Sequence, residues 1–475
     1  MRATPTTPER SADGWTAVVL AAGRGTRMRS RTPKVLHRVA GRPMLHLVCD
    51  ALAVAGFDRQ VVVVAGADDE VAEAAAPRAA IAVQNAPLGT GHAVLAARRA
   101  AGDAERVLIV NGDLPLLTPG ALATLADAHC ARQAALSFLT VDVDDPAGYG
   151  RVVRSGTPDG PVAGIVEESD ADEETRAIRE VNAGVYAAEA SWLWGVLDSL
   201  PPSPSGEIYL TDAVRAAVAS GCGVHAQRLT DATEAQQVNT RAELATADSA
   251  MRDRIRAGLM ASGVTLVGPE SIYVDAGVEV GTDTTLLPGT HLMGDTVIGS
   301  ECELGPNAVL RDMRVGDRCT IGGSTLEGST VADGVDIGPY CRVRPGSTIE
   351  ADVHLGTYAE VKASRIGART QIGHFSYTGD ADVGEDVNIG AGAITANYDG
   401  TSKHRTEIGD GAFIGSDTML IAPVRVGAGA HTAAGAVVTH DVPDGAQVIG
   451  SPARIRERGA PAPEHIEESS QRGEQ

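Results

Sequence analysis

The chain has 475 residues, 43% of them hydrophobic, which is more than one compact core usually organises and predicts about two or three domains. Its 40 Lys and Arg stand against 62 Asp and Glu, and the formal charge of −22 argues against a general nucleic-acid or membrane-surface binder. Anionic small molecules remain possible ligands wherever a few cations gather locally.

Residues 1–14 are polar and proline-bearing, without the apolar core of a signal peptide, and read as a disordered tail. No early apolar run reaches membrane-spanning length, so a cytoplasmic protein with no membrane or nucleic-acid partner is expected. Ala17-Val18-Val19-Leu20 then reads as a buried strand, Leu45 to Ala55 as a helix and Gln60 to Val64 as a strand. Ala93 to Ala101 reads as a helix and Val107 to Val110 as another strand. This alternation predicts a doubly wound, Rossmann-like α/β domain over residues 15–241, with its ligand site at the carboxyl ends of the strands. An Ala-rich charged stretch predicts a linker helix over residues 242–262, with Gly258 as its stop. Residues 460–475, rich in Glu, Gln, Ser and Pro, read as a second disordered tail. The six cysteines, Cys49, Cys130, Cys222, Cys302, Cys319 and Cys341, show no metal-ligand spacing and read as reduced, mostly buried thiols.

Between linker and tail, over residues 263–459, the chain keeps a six-residue beat. An aliphatic residue followed by Gly recurs at Ile366-Gly367, Ile372-Gly373, Val383-Gly384, Ile389-Gly390, Ile408-Gly409, Ile414-Gly415 and Val426-Gly427. Leu420, Thr432 and Val438 keep the phase, and a more broken run begins at Ile298-Gly299. A hexapeptide repeat predicts a solenoid of short parallel strands whose aliphatics stack inward. The beat slips twice. Leu355 to Ile366 spans 11 residues, one short of two hexads, and Ile389 to Ile408 spans 19, one more than three. The second slip holds Asn397-Tyr398-Asp399-Gly400-Thr401-Ser402-Lys403, a polar turn-rich segment expected to loop out of the prism.

Chemistry is first signalled after the first strand, in Leu20-Ala21-Ala22-Gly23-Arg24-Gly25-Thr26-Arg27-Met28 with Pro33-Lys34 beyond. Gly23 and Gly25 allow the backbone to approach a phosphate chain, and Arg27 and Lys34 add positive charge. Met28 stands where a dinucleotide fingerprint needs its third Gly, and no Gly-Lys-Ser/Thr follows, so neither common phosphate-loop motif is present.

The pattern L-A-A-G-x-G-T-R-M then P-K resembles the sugar-1-phosphate nucleotidyltransferases. Further matches are Gln84, Leu88-Gly89-Thr90-Gly91-His92-Ala93, Gly112-Asp113-Leu114-Pro115-Leu116, Gly148-Tyr149-Gly150-Arg151, Ile165-Val166-Glu167, Asn182-Ala183-Gly184 and Val238-Asn239. With the solenoid added, the chain is similar to the bifunctional N-acetylglucosamine-1-phosphate uridylyltransferase and glucosamine-1-phosphate N-acetyltransferase family, over everything between the tails. The resemblance implies glucosamine-1-phosphate, acetyl-CoA and UTP as substrates, a left-handed β-helix, a homotrimer, and Mg²⁺ held by Asp113 and Asn239. It places Leu20, Ala21, Ala22, Gly23, Arg27 and Lys34 on the nucleotide. Gln84 and Gly89-Thr90 match uracil-reading positions, and Gly150, Glu167 and Asn182 match the sugar.

In the solenoid, His374 matches a catalytic base. A hexosamine amine must lose a proton before or during attack on a thioester, and histidine suits that task. Arg344, Lys362, Tyr377 and Asn388 match sugar-phosphate contacts. Ala391, Asn397, Tyr398, Lys403, Ser416 and Ala434 match positions that meet acetyl-CoA. Three departures stand out: Arg24 in place of the usual Lys, Asn111 where an aromatic is common, and Arg454 shifted from a CoA-contacting Arg. The competing readings are a single-activity nucleotidyltransferase with a structural solenoid, and a non-enzymatic scaffold. The first has no need of His374, Lys362 and the loop; the second has none of Arg27, Lys34 and Asp113 together.

Overall fold

The computed structural model describes residues 13–456 apart from Arg24, Pro204 and Ser205. Arg24 and all but Asp13 and Gly14 of the two tails therefore lie outside the described residues. Asp13 and Gly14 themselves form a turn whose Gly14 carbonyl accepts from the Glu105 and Arg106 N–H groups, so these two residues belong to the first unit. The chain divides into two compact units that part between Asp253 and Arg254, inside the helix Arg241–Ala261.

The first unit is built on a mixed sheet. Its main order is Val224–Arg228, Leu136–Asp142, Glu180–Glu189, Arg106–Asn111, Trp15–Leu20, Gln60–Val64 and Ala80–Val83. The last four strands are mutually parallel, and Glu180–Glu189 runs against both of its neighbours. Gln60–Val64 is buried along its whole length because helices cover both faces, which is why it reads as an unbroken apolar run. The helices Met44–Val54 and Thr90–Ala101 lie in the expected places, although the second starts three residues before Ala93, directly on the Gly89-Thr90 loop.

The long helix runs past Gly258. It stops where Gly263, at φ +93°, donates to the Met260 carbonyl while Val264 donates to Leu259. That pair of bonds closes the helix end, and the left-handed conformation suits a residue without Cβ. Gly258 is an ordinary helical residue, because a stop needs the outgoing chain to turn back and nothing turns at that point.

The second unit is a left-handed parallel β-helix of hexapeptide repeats, with three sheets of 12, 10 and 9 strands among the described residues. Each strand is two or three residues long, and those up to His431–Thr432 pair in parallel at a spacing of three strands along the chain; the last two strands of the 12-stranded sheet, Gln447–Ile449 and Arg454–Arg456, pair antiparallel with each other. One inward row runs Leu286, Leu304, Ile321, Ile337, Leu355, Ile372, Ile389, Ile414, Thr432 and Val448, in register coil upon coil. Buried Thr432 fits this apolar row because its hydroxyl bonds the Gly415 N–H and the Thr418 hydroxyl. The one-residue deficit after Leu355 is a tight corner at Ala363, φ +46°. From Ile389 the inward steps are Thr395 and then Ile408, two rather than the three the spacing suggests, and the surplus chain is an excursion between the strands Ile394–Ala396 and Thr406–Ile408. Four of the six free cysteines are buried; Cys130 is exposed and Cys222 half-buried, because both sit near the surface ends of helices.

Candidate active sites

In the first unit a cleft of about 340 Å³ opens at the carboxyl ends of three parallel strands. Leu20, Ala21, Ala22 and Gly23 leave the first strand along one wall. Gln84, Gly89 and Thr90 follow Ala80–Val83, and Asn111 and Asp113 end Arg106–Asn111. Gly25 has a left-handed φ of +58°, and a Cβ there would come within 2.5 Å of Lys34 Cβ. Its glycine thus lets Lys34 reach into the cleft, a different role from exposing N–H groups to phosphate. Gln84 is fixed by donating to the Gly89 carbonyl at 3.0 Å.

Lys34 bridges two acceptors. Its ammonium lies 2.5 Å from Asp113 Oδ2 and 3.1 Å from Asn239 Oδ1, while Arg27, itself exposed, donates to the same Asn239 oxygen at 3.0 Å. The expected phosphate cations and the expected metal ligands therefore meet at one point. Mg²⁺ prefers hard oxygen donors and few protein ligands. The residues fit it: Asp113 Oδ1 is buried without a hydrogen-bond partner, and a single cation already bridges Asp113 and Asn239. No group of three or more His, Cys, Asp or Glu able to hold a metal gathers among the described residues, so phosphate or water oxygens would complete the shell.

A second hollow of about 160 Å³ shares Thr90, Asn111 and Gln237 with this cleft and is lined by Gly150, Glu167, Asn182 and Thr211. Asn182 donates to the Tyr186 hydroxyl at 2.5 Å and accepts from Gly184 N–H at 3.1 Å, which sets its amide. Glu167 accepts from the Thr211 hydroxyl at 2.7 Å. Burial raises its pKa above the ordinary 4.5; the Thr211 bond opposes the shift, and Asp212 and Asp170 add to it.

In the β-helix the register aligns residues that are far apart in sequence. His374, Ala391, Ser416 and Ala434 each stand two positions after one of the stacked residues Ile372, Ile389, Ile414 and Thr432, so they form one row along a corner. Coil-to-coil bonds follow this row: Gly392 N–H to the His374 carbonyl, Asp417 to Ala391 and Gly435 to Ser416. His374 is exposed, which leaves its imidazole open to a ligand. Beyond the corner, Arg344 and Lys362 lie side by side on neighbouring strands, with Tyr377 beside Glu360. Lys362 donates to Asp380 at 3.0 Å, Asn397 donates to the same carboxylate oxygen, and Arg344 donates to Glu360 at 3.2 Å. Asn388 is exposed on the face before the corner.

The 397–405 excursion folds back on itself. Tyr398 and Lys403 form a bridge, the Tyr398 hydroxyl donates to Gly400, and Asp399 accepts from the Thr401 and Ser402 N–H groups. Those backbone donors and His404 hold the Asp399 carboxyl well below its ordinary range. Lys403 lies against Lys362 in the same chain. The hydrogen bond to Lys362 and its charge lower the pKa of Lys403, while the pKa of Lys362 is raised by that same bond, in which Lys403 acts as the acceptor, and by Asp380.

Sequence reading missed several residues. Glu207, Tyr209 and Gln237 line the nucleotide-side cleft, and Ile208 clamps the Gly89–Gly91 loop through its N–H to Leu88 and its carbonyl from Gly91. The available signal was an aromatic among polar residues, Glu207-Ile208-Tyr209, just ahead of the helix Asp212–Ala219. Asp380, which joins Lys362 to Asn397, carried no signal beyond being an acid at a corner.

Fold and sites together define a nucleotidyltransferase joined to a hexapeptide-repeat acyltransferase. Residues 17–166 match the MobA-like NTP transferase domain and residues 405–440 match the bacterial transferase hexapeptide (six repeats). The bifunctional protein GlmU of Heliobacterium modesticaldum is 45% identical over 436 residues, covering 91% of this chain and 95% of that protein. That of Mycobacterium tuberculosis (strain CDC 1551 / Oshkosh) is 44% identical over 449 residues, covering 92% and 90%. That of Pelobacter propionicus is 44% identical over 448 residues, covering 93% and 97%. The chain belongs to the bifunctional GlmU family of enzymes.

Proposed function

We propose that this enzyme acetylates glucosamine-1-phosphate with acetyl-CoA at the β-helix site. At the α/β site it then transfers UMP from UTP to N-acetylglucosamine-1-phosphate, giving UDP-N-acetylglucosamine and pyrophosphate. In the α/β cleft, Gln84 and Gly89-Thr90 read uracil, Leu20–Gly23 line the nucleotide, and Gly150, Glu167 and Asn182 hold the sugar. A sugar-phosphate oxygen attacks the α-phosphorus of UTP in line, and the bond to the β-phosphate breaks. Such transfer needs positioning and charge neutralisation more than a proton acceptor. Arg27 and Lys34 hold positive charge at the triphosphate; Mg²⁺, held by Asp113 and Asn239, would add charge neutralisation on the phosphates when bound.

At the β-helix site His374 takes a proton from the sugar amine as its nitrogen attacks the thioester carbonyl. The carbon–nitrogen bond forms, the carbon–sulfur bond breaks, and CoA leaves as its thiol with the proton that His374 took from the amine. Arg344 and Lys362 face the sugar phosphate with Tyr377 and Asn388 beside it. Acetyl-CoA runs along the row Ala391, Ser416 and Ala434 and meets Asn397, Tyr398 and Lys403. Exposure of His374, Tyr398 and Lys403 supports a homotrimer in which a neighbouring prism walls the site. Six free thiols support a cytoplasmic setting.

The observation that carries the two-site reading is that each unit assembles its own set of side chains and shares none with the other. The test is a double dissociation in the full chain. Asp113→Ala is expected to abolish uridylyl transfer and spare acetyl transfer. His374→Ala is expected to slow acetyl transfer by about 10²–10⁴-fold and spare uridylyl transfer. Loss of both activities in either variant, in folded protein, would refute independent sites.

A further inference from the structure

The segment bearing Asn239 is held from both sides by backbone contacts. Val238 N–H donates to the Asp113 carbonyl at 3.1 Å, which ties the two proposed metal ligands together. One residue on, Asn239 N–H donates to Glu243 Oε2 at 2.6 Å, and Thr240 N–H donates to the same oxygen at 3.0 Å. Glu243 N–H in turn donates to the Thr240 hydroxyl at 3.2 Å. This is a capping box that opens the helix Arg241–Ala261, extended by one residue so that its acid also grips the backbone of Asn239. No cation pairs with Glu243 among the described residues, so its carboxylate is committed to these N–H groups.

The same helix grips the other side of the site. Arg241 Nε donates to the Met28 carbonyl, one residue past Arg27, and Arg241 Nη1 bonds His37 Nδ1, three residues past Lys34. Asp248 accepts from Ala40 N–H at 2.7 Å. The helix start thus fixes Asn239 directly and the two cation-bearing loops through their flanks. Arg27 and Lys34 then converge on Asn239 Oδ1, the atom whose backbone Glu243 holds.

We propose that Glu243 is a positioning residue for uridylyl transfer: it sets where Asn239 Oδ1 stands against Asp113, and so sets metal affinity, without touching metal or substrate itself. The proposal rests on the assignment of Asp113 and Asn239 as metal ligands. Partners that orient a ligand typically contribute about 10–100-fold in metal affinity. A cap that served only helix stability would lower the melting temperature and leave the affinity of the remaining folded protein unchanged.

The test uses the full chain and Mn²⁺ as a paramagnetic probe in the presence of UTP, with free Mn²⁺ followed by electron paramagnetic resonance. Glu243→Ala is expected to weaken Mn²⁺ binding by about 10–100-fold. Glu243→Gln, which keeps an acceptor oxygen at the same reach, is expected to stay within about threefold of wild type. Acetyl transfer by both variants is expected to be unchanged, which reports an intact chain. Should Glu243→Ala fail to fold, Glu243→Asp, one methylene short of the Asn239 N–H, carries the test with the same direction of change. Wild-type Mn²⁺ affinity in a folded Glu243→Ala or Glu243→Asp protein overturns the proposal if Asn239→Ala binds weakly. If Asn239→Ala also binds like wild type, the metal-ligand assignment has failed, and the role of Glu243 fails with it.

Discussion

Lys34→Ala is the perturbation that most directly probes the α/β cleft. The Lys34 ammonium is 2.5 Å from Asp113 Oδ2, and the two side chains are only 15% and 9% exposed. Breaking a buried pair by removing one partner typically costs about 3–5 kcal/mol, because the other charge is left uncompensated. The pair lies in a cleft that admits water, so a loss of about 1–3 kcal/mol is the better expectation. For a unit of this size each kcal/mol moves the melting temperature by about 2–4 °C, so the shift should be roughly 2–12 °C. The assay is differential scanning calorimetry of the full chain, with the first unit's transition followed in EDTA and in millimolar Mg²⁺. In EDTA the variant should melt several degrees below wild type. Added Mg²⁺ should recover most of that loss, since Asp113 and Asn239 then regain a bridging cation. A double variant, Lys34→Ala with Asp113→Ala, should be destabilised by less than the sum of the single changes. Equal melting in EDTA would refute the coupling drawn from the distances. A loss that Mg²⁺ leaves untouched would refute the shared cation site.

Two other outcomes follow from burial. Glu167 holds its proton above the ordinary 4.5 in the folded chain, so wild-type stability should fall as pH rises through the window above that value. Glu167→Gln removes this dependence, and its stability relative to wild type, measured by urea unfolding, should grow with pH from 4.5 upward; a pH-independent difference would refute the burial argument. Ile372, fully buried between Leu355 and Ile389, should lose about 2–5 kcal/mol on change to Ala. The β-helix transition in calorimetry should drop while uridylyl transfer persists; a loss below about 1 kcal/mol would mean that the coils are not close-packed at this layer.

Much of the site was legible because its chemistry is local. Leu20 to Gly23, with Arg27 and Lys34 beyond, follow directly on a strand end, and a strand followed by glycines and cations can be read along the chain, whereas Gln84, Gly89-Thr90 and Asp113 are placed only through the family resemblance. Glu207, Tyr209 and Gln237 could not be read in this way. They reach the same cleft from more than ninety residues beyond Asp113, through contacts such as Ile208 on the Gly89 loop, and nothing in a linear pattern marks that partnership. The helix stop shows the same limit. The sequence reads Gly258 as the stop, and only the hydrogen bonds to Leu259 and Met260 place it at Gly263.

By itself the sequence determined the architecture of the second unit, because a period of six with an aliphatic at each beat satisfies one inward row per face and little else. It also determined the strand–helix alternation of the first unit, since apolar runs and glycine punctuation act over a few residues. Tertiary structure alone decided the rows and the charges. Ala391 follows His374 by 17 residues, Ser416 follows Ala391 by 25, and Ala434 follows Ser416 by 18, yet all four share a corner. The uneven spacing hides the row, because the 397–405 excursion adds chain length without adding height. Lys34 pairs with Asp113 and Asn239, and Lys403 meets Lys362, for the same reason: electrostatic partners are selected by distance in space, and only packing sets that distance.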